Sequence, residues 1–179
     1  MIELERVKRT HPIVLECMAK HYSQPKGFVG RNICYLICYG SGIYGAIVGG
    51  SATKNLGYIR DMAFPFDLNN IVNNIFFHVE RPYPVRNFVV SIIQQWRNQI
   101  LKDWQNAYGD KVLGFETLVE PPRTGEAYLR DNWMPAGRTI GYTCKRTGGE
   151  GTDSWSGKRV WNTTDLRPKL IFIRQPWWP

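Results

Sequence analysis

The sequence predicts a single domain of the mixed α/β class (α+β), with a curved mixed β-sheet flanked by helices. Three observations predict it. Read along the chain, the apolar patterns run strand, helix, three strands, helix, strand, helix, then strands to the end. One long helical pattern dominates the middle, from Val89 to Tyr108, with a strand-like run before it (Ile75–Val79) and another after it (Val112–Val119). A chain of 179 residues is the size of one domain, with a core large enough to need no staples.

Each element has a local reason. Ile2–Val7 reads as a short edge strand. Thr10 is an expected N-cap for a helix from about His11 to His21, with Pro12 tolerated in its first turn and Ile13, Val14, Cys17 and Met18 on its apolar face. The helix ends at His21-Tyr22-Ser23, before Pro25 and Gly27. A helix C-terminus favours a protonated imidazole, so His21 is either a charged site residue or a capping histidine with a packing tyrosine beside it. Ile33–Tyr39 and Tyr44–Val48 read as strands joined by the hairpin signal Gly40-Ser41-Gly42. Gly49-Gly50 lets the backbone bend, or lets a neighbour come close. It lacks the lysine and the glycine spacing of a phosphate-binding loop. Residues 55–74 are polar and broken by Pro65, which reads as a loop with a short helix near Leu68–Asn73. His78, in the next strand, reads as a core or strand-surface residue. Asn87 is the expected N-cap of the long helix and Gly109 its stop. With Arg86 beside it, that helix N-terminus suits an anion.

The stretch from Val112 to Trp133 carries the densest chemistry. An apolar run holds polar residues at Glu116, Thr117 and Glu120, breaks at Pro121-Pro122, and turns through Arg123-Thr124-Gly125 into a short segment, Glu126–Asn132. Carboxylates at the end of a buried strand, facing a glycine-containing loop, are how open α/β sheets build sites. Ion pairs also put acids there, so Glu116 reads equally as a paired structural acid and Glu120 as a solvated one. Arg138–Lys145, Lys158–Trp161 and Lys169–Ile173 read as strands, with a flexible loop over Gly148–Gly157. This divides the chain into residues 1–146, the catalytic body, and 147–179, a basic, tryptophan-rich extension packed on the same domain.

Net charge is +8, which suits an anionic partner, nucleic acid first. Seven Lys/Arg face three Asp/Glu from Gly141 onward, with tryptophans among them. Basic residues with aromatics between them suit backbone neutralisation and base stacking. The DNA contacts expected are Arg31, Lys145, Arg146, Lys158, Arg159 and Trp155. No apolar run is long enough to span a bilayer, and the charged N-terminus is not a signal peptide. Cys17, Cys34, Cys38 and Cys144 contain no CxxC pair and read as reduced thiols.

The element order resembles the GNAT acyltransferase fold. That fold carries a Q/RxxGxG/A loop for the coenzyme A pyrophosphate where this chain has Tyr83-Pro84-Val85-Arg86-Asn87-Phe88. The glycines are missing, while Arg86 and the helix N-terminus remain. The residue order narrows the resemblance: His21-Tyr22-Ser23, Gly45, Arg86-Asn87, Asp103-Trp104, Tyr108-Gly109, the Glu116–Pro121 run, Gly125, Tyr128, Asn132-Trp133, Gly137 and Thr139. From Lys20 to Lys145 this resembles the Mom family of phage DNA-modification proteins and, in its second half, Druantia-type DruA defence proteins. The resemblance implies transfer of a carbamoylmethyl group to the N6 amine of adenine in double-stranded DNA, with the base flipped out, protecting the DNA from restriction. It implies catalytic roles for His21, Tyr22, Ser23, Tyr39, Thr117, Glu120 and Tyr128, and iron held by His21 and Glu120. Arg86 and Asn87 would bind an acyl-CoA or other donor. Glu120 stands where the family has an aspartate, and Thr117 where it has a serine. The setting implied is the host cytoplasm, from a phage or prophage, with a homodimer allowed. Two alternatives stand beside it: a non-catalytic DNA-binding component, as in DruA, and a conventional GNAT N-acyltransferase acting on a small amine.

Overall fold

A computed structural model describes the chain except residues 24–26, 55, 142, 148–157, 163, 165 and 179; side chains of 143–147 and 158–162 are also outside the description. In chain order the elements are β1 (Ile2–Val7), α1 (Pro12–Lys20), β2 (Asn32–Tyr39), β3 (Gly42–Ser51), α2 (Tyr58–Ala63), a 3-10 turn (Leu68–Asn70), β4 (Ile71–Val79), α3 (Phe88–Tyr108), β5 (Gly114–Val119), α4 (Glu126–Arg130), β6 (Met134–Arg138), β7 (Thr143–Thr147), β8 (Lys158–Asn162) and β9 (Leu170–Arg174). Among the described residues, seven strands form one sheet in the order β1-β2-β3-β4-β5-β9-β6, and β7 and β8 form a separate pair. The predicted mixed sheet is therefore present. β9, from the stretch set apart as an extension, pairs with both β5 and β6 inside it.

Pairing in the sheet is antiparallel except between β4 and β5. A parallel pair needs a long crossover, and α3 supplies it. The parallel ladder covers four positions, Ile71↔Gly114 to Asn74↔Thr117. Past Asn74 and Thr117 both strands continue, to Val79 and Val119, without pairing to each other. The sheet forks there. A β-bulge sits at the same level: Val48 pairs with Phe76 and Gly49 with Asn74, which leaves Ile75 without a partner in the register.

Side chains alternate across β2, and both faces are buried. Ile33, Tyr35 and Ile37 join Ile92, Ile93, Trp96 and Ile100 of α3 in one cluster. Cys34 and Leu36 join Val14, Cys17 and Met18 of α1 in another. A third cluster, with Leu56, Phe64, Ile71, Ile171 and Ile173, fills the space near α2. The close approach expected at Gly49 is that of α3: a Cβ there would lie 2.1 Å from Ile100 Cδ1.

Several expectations are corrected. α1 is capped by His11, whose Nδ1 accepts from the Ile13 N–H, and not by Thr10. Residues 55–74 hold α2 and the start of β4, not just a loop and a short helix, because Asn73 and Asn74 are buried strand residues with partners. Asn87 occupies the N-cap of α3 in the left-handed region (φ 61°) and makes no side-chain cap bond; its Oδ1 accepts from Arg130 instead. The strand expected over Arg138–Lys145 is divided between β6 and β7.

Candidate active site

The fork opens into a cleft of about 510 Å³ that reaches from Asn74 and Thr117 to the N-terminus of α3. At its floor three polar groups interlock. The Thr117 hydroxyl donates to the Asn74 carbonyl at 3.0 Å, and the Tyr128 hydroxyl donates to Asn74 Oδ1 at 3.0 Å. α4 delivers Tyr128 from a turn at Gly125 (φ 74°), which presses so close to the Phe172 ring that a Cβ would meet it at 2.3 Å. Tyr128 lies against Phe172 and Trp133, at centroid distances of 6.0 and 5.1 Å. Burial pushes its phenol pKa well above the usual value, so it stays protonated at neutral pH.

α4 is held against α3 by a buried ion pair. Arg97 grips Asp131 through two bonds of 2.8 and 2.9 Å, and Trp133 Nε1 donates to the same carboxylate at 2.8 Å. At the other end of the cleft, Phe88, Val89 and Val90 begin α3. Their backbone N–H groups precede the first intrahelical bond, Ser91 N–H to the Asn87 carbonyl, and carry the positive end of the helix dipole. Arg81, Arg123, Arg130 and Lys169 line the same cleft, with Glu126 among them.

One wall is the turn after α1. His21 is buried; its Nδ1 accepts from the Ser23 N–H at 3.2 Å and lies 2.8 Å from Ser23 Oγ. Its ring packs on Tyr22, Phe76 and His78 at 4.3, 4.7 and 6.0 Å. Burial, then His78 and Arg123, lower its pKa from 6.5 to about 4, against the Phe77 carbonyl and Glu120, which raise it. His21 is therefore neutral at pH 7, and the protonated imidazole expected at this helix end is absent because desolvation outweighs the dipole. Tyr22 lies under the Arg123 guanidinium at 4.3 Å.

No protein-family model matches the chain, and no curated protein matches it. Solved structures do. An acetyltransferase of Bacillus subtilis in complex with CoA is 9% identical, over 98% of this chain and 99% of that one, with a TM-score of 0.61. The aminoglycoside acetyltransferase AAC(6')-Ib, in complex with coenzyme A and kanamycin, is 9% identical over 98% and 95%, with a TM-score of 0.60. A GNAT family acetyltransferase from Elizabethkingia anophelis with acetyl-CoA bound is 12% identical over 97% of both chains, with a TM-score of 0.55. This chain has the GNAT acetyltransferase fold.

Within that fold the expected site residues separate. His21, Tyr22, Ser23, Asn87, Thr117 and Tyr128 all line the cleft. Tyr39 stands behind it, edge-on to Phe88 at 5.9 Å. Glu120 sits just past the end of β5 and pairs with Lys169 at 3.3 Å, touching the site through that lysine. Arg86 is exposed and off the cleft lining. Glu116 faces the other side of the sheet, where it accepts from the Thr53 N–H at 2.6 Å and meets Arg60 at 3.3 Å. Burial raises its pKa, opposed by those two partners. It is the paired structural acid of the two readings.

The structure gives no support to the expected iron set. His21 already accepts from Ser23 through Nδ1, Glu120 is tied to Lys169, and among the described residues no three His, Cys, Asp or Glu side chains converge to hold a metal. Of the expected DNA contacts, Arg31 pairs with Asp110 and stacks on Tyr108. The side chains of Lys145, Arg146, Lys158 and Arg159, and Trp155 as a whole, lie outside the described residues. Sequence reading missed Asn74 and the cleft cations Arg81, Arg123, Arg130 and Lys169. The cations sit singly in loops or at element ends, where no spacing marks them.

Proposed function

We propose that this protein transfers an acyl group from an acyl-CoA-type thioester to an amine, in the cleft at the fork. The observation that carries the proposal is that one cleft joins an uncapped helix N-terminus to a fork in the sheet whose floor is a protonated phenol. The α3 N–H groups, with Arg81 and Arg130, suit the phosphates of such a donor. When bound, the donor supplies an activated carbonyl. The half-sheets on either side of the fork exclude water from a slender chain lying between them. Tyr128 keeps a proton on Oη and shares it with Asn74, while Phe172 and Trp133 hold the ring in place. His21, neutral and engaged with Ser23, shapes the wall and keeps Tyr22 beneath Arg123.

Purified protein tests this with acetyl-CoA, a panel of primary amines and a thiol-release assay. Amine-dependent thiol release is expected. Tyr128→Phe is expected to lower kcat about 10²-fold, because the loss of its hydrogen bond misplaces the floor of the fork. No thiol release with any amine, together with no CoA binding, overturns the reading.

A narrower reading makes the amine N6 of adenine in DNA and the group carbamoylmethyl. Two features favour it: four cations line the cleft, and two half-exposed tyrosines, Tyr22 and Tyr83, flank it. A flipped base stacks on aromatic side chains while cations hold its phosphates. Nucleoside mass spectrometry of DNA from a host lacking other modification genes tests it. A new adenine nucleoside is expected, and unmodified DNA overturns this narrower reading alone.

A further inference from the structure

We infer that a basic groove at the β1 edge of the sheet, away from the cleft, docks the phosphate backbone of a double-stranded nucleic acid. The inference stands apart from the acyl-thioester reading and gives a role to residues that reading leaves unused.

The groove forms because two strands part. The β1–β2 ladder ends at Val7↔Cys34. Beyond it the chain turns away, and the His11 N–H donates to the Lys8 carbonyl at 2.9 Å. The turn leaves a groove of about 570 Å³ between residues 6–10 and 32–34. Through the register Asn32 stands level with Gly50 and Asn73, near the start of β4. The cleft opens toward the end of β4, so the two openings face opposite ends of the strands.

Charge is sorted along this edge. Glu3 and Glu5 lie opposite Cys38 and Leu36, toward the other end of β1. Arg6, Lys8 and Arg9 follow, all exposed and all lining the groove. Neither Arg6 nor Lys8 has an ion pair among the described residues. Arg9 Nη1 donates to the Phe28 carbonyl at 3.3 Å, which holds its guanidinium in place. The end of α3 comes up beside Asn32, whose N–H donates to the Tyr108 hydroxyl at 2.9 Å. Its acids are already engaged, Asp110 with Arg31 and Asp103 with the Tyr35 hydroxyl. Among the described residues no acid lines the groove.

Three cations without a counter-charge in one open groove call for an anion. Their exposure decides which kind. A lone phosphate gains little from exposed cations, because water competes for them. A phosphodiester chain presents several phosphates at once, and each one neutralised releases a counterion. Two of the three are arginines, whose forked donors match phosphate oxygens. Among the described residues no aromatic side chain lines the groove, so it offers unpaired bases no platform. That favours a duplex, which presents its backbone and keeps its bases stacked inside. Contact of this kind positions the partner and reads no sequence.

Fluorescence anisotropy of the full chain with a short labelled DNA duplex tests the inference across a salt series. The groove variant carries Arg6→Gln, Lys8→Gln and Arg9→Gln. A control loses the same charge elsewhere, through Lys54→Gln, Lys102→Gln and Arg138→Gln, which are exposed and line neither opening. The slope of log affinity against log salt is expected to be shallower by about three in the groove variant, and to stay near the wild-type slope in the control. The wild type's advantage over the groove variant is expected to grow about 40-fold as salt falls from about 200 mM to about 50 mM. Unfolding midpoints should not move, since the side chains are exposed. Arg6→Gln and Lys8→Gln alone, each expected to flatten the slope by about one, serve if the triple variant does not fold. A groove variant that binds as the wild type does overturns the inference, as does a control that loses as much, which marks net charge alone. A single strand bound more tightly than the duplex overturns it too. So does a wild type that leaves the duplex free at low salt; capture by phosphatidylserine vesicles, lost in the groove variant, would then assign the groove to a lipid surface.

Discussion

Asn73 and Asn74 are neighbours on β4, and their partners Glu116 and Thr117 are neighbours on β5, yet the two rungs point to opposite faces and do different jobs. On one face Asn73 Nδ2 donates to Thr53 Oγ1 at 2.9 Å, Glu116 takes the Thr53 N–H, and Arg60 closes the group, giving its Nη2 to the Thr53 carbonyl at 2.7 Å. Arg60 and Glu116 are 2% and 0% exposed, so nothing from solvent reaches them. On the other face Asn74, Thr117 and Tyr128 interlock in the same way, but these three line a cleft. Polarity in a buried strand therefore does not itself mark a site. Each rung keeps a buried side-chain atom without a hydrogen-bond partner among the described residues, Asn73 Oδ1 on one face and Asn74 Nδ2 on the other; what separates them is the cleft that opens beside the second.

Breaking the rung away from the cleft should give the largest effect. Glu116→Ala leaves Arg60 buried beside an empty space and should cost about 3–5 kcal/mol in urea unfolding, with thiol release per folded molecule unchanged. A cost below about 1 kcal/mol would mean that the rung holds nothing together. A smaller effect is expected from pH at the cleft wall. The folded-state pKa of His21, about 4, lies below its ordinary 6.5. Above pH 6.5 the histidine is neutral folded and unfolded alike. As pH falls toward 4, the unfolded chain takes up a proton that the folded chain refuses. Stability should fall over that window by on the order of 2 kcal/mol. Comparing wild type with His21→Phe isolates this contribution from that of the carboxylates; identical pH slopes for the two would show that His21 titrates freely. The smallest effect belongs to Glu120→Ala. Its partner Lys169 is 38% exposed, and an ion pair at the surface is worth less than about 1 kcal/mol. Denaturation midpoints should barely separate the two proteins.

Much of the fold was legible in the sequence because it follows from apolar spacing: α3 repeats at helical intervals, β2 and β3 flank a glycine hairpin, and β9 is an unbroken apolar run. What could not be read came from tertiary partners. The start of β4 reads as loop because Asn73 and Asn74 are polar. They belong in a strand only once Thr53, Tyr128 and Thr117 are in place to satisfy them. α2 escaped notice because it is short and its one fully buried side chain is an arginine, Arg60. Of the residues singled out in the sequence, the His21-Tyr22-Ser23 turn, Thr117 and Tyr128 all line the cleft. The metal role given to His21 and Glu120 gains no support, because among the described residues no group of three His, Cys, Asp or Glu side chains gathers to hold an ion.

The parallel seam between β4 and β5 is four residues long in a sheet of seven strands. β1 to β4 form one slab, β5, β9 and β6 another, and beyond the seam α3, α4 and the contact of Tyr22 with Arg123 join the slabs. A slender guest lying in the gap would take the place of the missing rungs. A guest that bridged the two strands in this way would tie the stiffness of the sheet to its occupancy.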